Sequence, residues 1–171
     1  MKPPILLKTI LDICLYFLVI SLIISVFFFV IQLITGENLT PININGTKIL
    51  EFNTSSSVLI IIEMLIASMF IYTIYILRKL IRNFFKGKLF TPFQIASLRL
   101  IGQLIILITI FQGIVNFITP LIINGEGRIG IEIDFTFGSF WFILAIGLFF
   151  IFLSKVFENA KKLKEENELT V

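Results

Sequence analysis

Four apolar runs, residues 13–31, 58–77, 100–123 and 140–157, constrain this chain more than anything else in it. A helix rises about 1.5 Å per residue, so some 20 apolar residues cross the roughly 30 Å hydrocarbon core of a bilayer. A soluble domain would have to hide these runs. With 57% of its 171 residues hydrophobic and 20 of them Phe, the chain has too few polar side chains to coat such a core. The expectation is one integral membrane domain over residues 1–171, an all-α four-transmembrane-helix bundle with spans at about 10–34, 57–77, 98–122 and 139–157. Lys2 and Lys8 precede the first run as in a signal peptide. The run is too long for one, and Thr35-Gly36-Glu37-Asn38 is no cleavage site, so an uncleaved first span is expected.

Most chemistry is excluded by what is missing. There is no His and a single Cys, Cys14, set in the first apolar run where a thiol behaves as a small hydrophobe. Imidazole acid–base catalysis, Cys–His nucleophiles, ordinary zinc sites and disulfides all fall away. Gly125-Glu126-Gly127, between Asn124 and Arg128, reads as a turn and not as a phosphate loop. Neither an enzyme nor a cofactor is expected.

Charge is distributed unevenly between the loops. Loop two carries Arg78, Lys79, Arg82, Lys86, Lys88 and Arg99 with no acid. Loop one has Lys48 against Glu37 and Glu51, and loop three has Arg128 against Glu126, Glu132 and Asp134. Positive charge collects in short cytoplasmic loops, so loop two and both termini are expected inside a bacterial cytoplasmic membrane, N-in/C-in. The net charge of +3 follows from this asymmetry, and no direct nucleic-acid binding is expected.

Loop two also marks helix ends. Leu77, Leu80, Ile81, Phe84 and Phe85 keep helical spacing through the cations, and Lys86-Gly87 is a stop signal. Thr91 as N-cap, Pro92 at the first helical position, Gln94 completing a capping box and a Phe90/Ile95 staple predict a restart at Pro92. Helices two and three should thus extend into the cytoplasm as a hairpin over 78–99. Its cations Arg78, Lys79, Arg82, Lys86 and Lys88 serve either as ordinary anchors to anionic lipid, at about 1 kcal/mol each, or as a docking surface for a partner.

The outer loops carry strand signals. Ile129, Ile131, Ile133, Phe135 and Phe137 alternate with polar residues, and Asn45-Gly46 sits between apolar flanks as in a hairpin. A small extracellular β-sheet joining loops one and three is expected. Asn38, Asn45 and Asn53 begin glycosylation-type triplets, which an AT-rich bacterial composition makes accidental.

Within the spans, Glu63 is the one deep acid, and an intramembrane carboxylate needs an inward-facing partner. Gln112 and Asn116, four apart in span three, lie at similar depth, so a buried cluster of Glu63, Gln112 and Asn116 is expected. It either holds the bundle together or carries a proton or cation. Asp12, four residues after Lys8, reads as its i,i+4 partner, and Gly102 and Gly113 permit close helix approach. Pro120 removes one backbone donor near the end of span three. In the tail 158–171, Glu158–Lys162, Lys161–Glu165 and Lys162–Glu166 are helical pairs, and Val156, Phe157, Ala160 and Leu163 form a stripe that could pack on the hairpin or on a partner.

The segments Gly87-Lys88-Leu89-Phe90-Thr91-Pro92 and Leu98-Arg99-Leu100-Ile101-Gly102, with the ending Ala160-Lys161-Lys162-Leu163-Lys164-Glu165-Glu166-Asn167-Glu168-Leu169-Thr170-Val171, resemble the bacterial family called domain of unknown function 2975. The resemblance implies four spans in this arrangement and no catalytic residues. Members are often encoded beside a small helix-turn-helix regulator, which implies a membrane protein that binds or sequesters a transcription factor. A small transporter or channel subunit using Glu63 is the alternative, and an immunity or stress-protection role within the bilayer a third. A homodimer is compatible with four short spans, but no interface motif marks one.

Overall fold

The computed structural model describes residues 5–36, 42–44, 47–49, 53–85, 89–123 and 138–169. Four helices account for nearly all of them: α1 (Ile5–Thr35), α2 (Thr54–Phe84), α3 (Pro92–Ile123) and α4 (Phe140–Leu169). Each is 30 to 32 residues long, hence about 45–48 Å, and each is apolar enough to cross a membrane. That length exceeds the hydrocarbon core by about 15 Å, so the helices continue beyond it.

Local chemistry sets the helix ends. Gly36 follows α1 at φ +68°, and its N–H donates to the Gln32 carbonyl at 2.9 Å, a left-handed cap. Asn53 caps α2 through a reciprocal box: Ser56 N donates to Asn53 Oδ1 at 2.8 Å and Asn53 N to Ser56 Oγ at 2.9 Å. Its role is thus structural. Thr91 and Gln94 form the equivalent box on α3, with bonds of 3.0 and 3.2 Å. At α4 the Ser139 hydroxyl accepts from Phe142 N at 3.4 Å.

The helices pack in chain order, α1 on α2, α2 on α3 and α3 on α4. The start of α1, the end of α2, the start of α3 and the last turns of α4 share one end of the bundle, the terminal end. There Ile76 and Leu80 of α2, Leu98 and Ile101 of α3 and, packed on them, Phe150, Leu153 and Phe157 of α4 form one core cluster. Towards the other end Leu59, Ile60 and Ile66 of α2 join Val115 of α3 and Phe29 of α1. The α3–α4 seam is tightest at Gly102 and Gly147, where a methyl group on Gly102 would lie 2.6 Å from the Gly147 carbonyl oxygen. Small residues of this kind let backbones touch in membranes, where close packing replaces the hydrophobic effect between helices. Outward surfaces are apolar: Phe17 is 69% exposed and Trp141 69%. Exposure on this scale suits lipid and not water.

The sheet expected from loops one and three is corrected. The only strand pairing among the described residues is β1 (Ile42–Ile44) with β2 (Thr47–Ile49), antiparallel, with Ile42 opposite Ile49. Both strands come from loop one, the sheet order is simply β1–β2, and β2 lies near α3. No strand from loop three joins them among the described residues, and the alternating segment 129–137 lies outside those residues. Alternation of Ile with polar residues is a local pattern, whereas a third strand needs an edge long enough to pair with. Strands of three residues offer almost none.

Candidate functional site

The terminal end is where chemistry-bearing side chains gather. It begins with the α2–α3 turn. Asn83 near the end of α2 accepts from Gln94 Nε2 at 3.1 Å and from Thr91 Oγ1 at 3.4 Å, so the capping box of α3 is tied directly to α2. Gln94 is fully buried. Phe90, just before the cap, sits at φ +60°, a left-handed conformation that costs a non-glycine residue about 1–3 kcal/mol. Its ring shows what holds it there. It packs edge-on against Phe157 of α4 at 5.2 Å between centroids, and Phe84 of α2 meets the same ring at 5.6 Å.

Two further links bind α4 to this turn. Ser154 is completely buried and donates its hydroxyl to the Ile95 carbonyl of α3 at 3.1 Å. Arg99 and Glu158 approach to 3.5 Å across the same seam. Beyond them α4 runs on to Leu169, with Lys161–Glu165 at 3.4 Å and Lys162–Glu158 at 3.9 Å along its surface. Of the tail stripe, Phe157 is consumed by the hairpin, while Val156 (42%) and Leu163 (61%) stay exposed.

The cations of loop two divide in an unexpected way. Asp12 of α1 does not take Lys8 as its chief partner. Arg78 Nε donates to Asp12 Oδ1, and Arg82 lies 3.7 Å from Asp12 Oδ2. The carboxylate sits about two turns inside α1, beside the end of α2, where two long arginines reach it. Lys79 lies over the Phe93 ring at 5.3 Å, linking α2 to α3. Arg78, Lys79 and Arg82 therefore serve internal contacts first. Lys86 and Lys88 lie outside the described residues.

Deeper in the bundle, Gln112 Nε2 donates to Glu63 Oε1 at 3.2 Å, joining α3 to α2. Glu63 and Gln112 are half-buried, and Asn116, one turn further along α3, is exposed. Among the described residues no group of three His, Cys, Asp or Glu is placed to hold a metal ion. An apolar groove of about 800 Å3 runs between α2 and α3 from Thr54 to Met69 and receives no residue from α1 or α4. Cys14 is exposed on α1.

Four long apolar helices with lipid-type surfaces and a polar, interlocked terminal end define a multi-pass membrane protein. Within that class, residues 40–171 match the family of proteins of unknown function DUF2975, and the chain belongs to this family. No curated protein and no solved structure matches the chain.

Proposed function

We propose that this protein is a non-enzymatic regulator of the bacterial cytoplasmic membrane, with both termini inside, whose terminal face holds a soluble protein. The partner suggested by the family resemblance is a small helix-turn-helix transcription factor. One observation carries the reading: the end of α2, the start of α3 and α4 at Ser154–Phe157 are joined by Phe157 against Phe84 and Phe90 and by Ser154 on Ile95, and α4 runs on from this joint to Leu169. The charge asymmetry of loop two supports the inward orientation. Leu163 and Leu169 are exposed on the tail, and Lys86 and Lys88 add to the positive charge of loop two in the sequence.

The test is co-purification of the tagged protein from its host in mild detergent, with mass spectrometry of what is retained. A helix-turn-helix protein held by the wild type and lost from Leu163→Glu or Lys86→Glu/Lys88→Glu supports the reading. Its equal retention by those variants, or its absence throughout, refutes it. The Glu63–Gln112 contact favours a second reading, a small transporter subunit in which Glu63 binds a proton or cation. That reading requires Glu63→Gln to abolish flux in proteoliposomes.

A further inference from the structure

Where α3 and α4 leave their apolar segments, they open around a cleft of about 310 Å3. Its charged lining is Arg99 from α3 and Glu158, Lys161, Lys162 and Glu165 from α4, with Pro92 at one end. The depth of the cleft follows from the sequence. Arg99 and Lys155 are the first ionisable residues beyond the uncharged stretches 100–123 and 140–154. A bilayer of 40–45 Å overall with a core of about 30 Å leaves roughly 5–8 Å of headgroup on each side. Lys162 is only about 10 Å along the helix from Lys155. Arg99 thus lies at the inner edge of the headgroup layer and Lys161 and Lys162 about 9–10 Å further out, so the cleft crosses that layer and opens at its outer edge.

Its walls are rigid for the reasons already given: the Ser154–Ile95 hydrogen bond and the Gly102–Gly147 backbone contact fix α4 against α3 just beneath it. Its cations are less firmly held. They meet the two carboxylates at 3.4 to 3.9 Å, and the Arg99 and Lys162 side chains are 51% and 65% exposed. Exposed pairs of this kind contribute little, so an incoming anion competes for the same donors at small cost. Three cations face two carboxylates, leaving an excess of positive charge in a cleft between membrane helices.

We infer that this cleft binds the phosphate of an anionic phospholipid such as phosphatidylglycerol. Arg99 and the two lysines donate to the phosphate oxygens, and the acyl chains descend along apolar helix surface. Basic pockets between membrane helices recognise headgroups in this way, and charge-assisted bonds from Arg suit phosphate geometry. The carboxylates Glu158 and Glu165 hold the cations in position when the cleft is empty and weaken the grip when it is filled.

Native mass spectrometry of the full-length protein in mild detergent, with added phosphatidylglycerol or phosphatidylcholine, tests this. The wild type should retain phosphatidylglycerol preferentially, and Arg99→Gln, Lys161→Gln and Lys162→Gln should each lower retention about fivefold. Lys164→Gln, paired with Glu168 away from the cleft lining, should leave it unchanged. Glu158→Gln/Glu165→Gln should raise retention, a gain that misfolding cannot imitate. Equal retention of the two lipids, full retention by the triple cation variant, or no gain in the double Gln variant overturns the inference. Displacement of the lipid by an equal concentration of inorganic phosphate also overturns it, by making the cleft a site for soluble phosphate.

Discussion

Replacing Gly102 with Ala tests the packing logic of the whole bundle. A methyl group there would lie 2.6 Å from the Gly147 carbonyl oxygen, 2.7 Å from Ile151 Cγ1 and 2.9 Å from Ile151 N. Carbon contacts are optimal at about 3.5 Å, so the clash is close to 0.8 Å deep, and two of its three partners are backbone atoms that cannot rotate away. Either α4 moves outward or the seam strains. Overpacking of this kind costs about 1–3 kcal/mol, against a gain of about 1 kcal/mol from the better helix propensity of Ala. The clash wins, with a net loss of up to about 2 kcal/mol. Gly113 is the internal control. A methyl group there meets only the Phe140 ring, at 3.2 and 3.4 Å, and that side chain can turn aside. Gly113→Ala should therefore be neutral or slightly stabilising. Unfolding in mixed micelles, followed by fluorescence of the single tryptophan, Trp141, reads both variants on one scale. A Gly102→Ala protein as stable as wild type, or one more stable than Gly113→Ala, would show that the α3–α4 seam is not set by backbone contact.

Three further outcomes follow from the geometry. Asp12→Asn should lower stability by weakening the hold on Arg78 and Arg82, and a double-mutant cycle with Arg78→Gln should show coupling, since each single change breaks the same bond; independent effects would refute the tie of α1 to α2. Phe157→Ala removes the ring that Phe84 and Phe90 share, and limited proteolysis should then cleave the tail beyond Ser154 many times faster; an unchanged cleavage rate would mean that the tail is held elsewhere. Glu63→Gln keeps a group able to bond Gln112, so stability should change by less than about 1 kcal/mol; a larger loss in the same micelle assay would assign the carboxylate charge itself a structural role.

Some of this architecture can be read from the chain with no coordinates. Hydropathy summed over some 20 residues is a local property, and it specifies a membrane protein with four helices. Thr91, Pro92 and Gln94 announce the start of α3 because a capping box is complete within four residues. Asn53 carried the same kind of signal with Ser56, hidden because Asn and Ser are a less familiar pair than Thr and Gln. Strand pairing shows where local reasoning stops: among the described residues β1 pairs only with β2 of the same loop, and alternation in a sequence does not name a partner.

Most long-range partners were decided by tertiary structure. Asp12 bonds Arg78 and not its near neighbour Lys8, Ser154 reaches Ile95, and Gln112 is joined to Glu63 while Asn116, on nominally the same face, is exposed. Gly102 and Gly113 look alike in the sequence, yet only Gly102 lies against another backbone. The physical reason is the solvent. In lipid most faces of these helices are apolar enough to be left exposed, so apart from polar positions such as Glu63 hydrophobicity determines that a helix spans but not which face turns inward. That choice falls to close packing and a few long-range polar contacts, made between residues that the sequence keeps far apart.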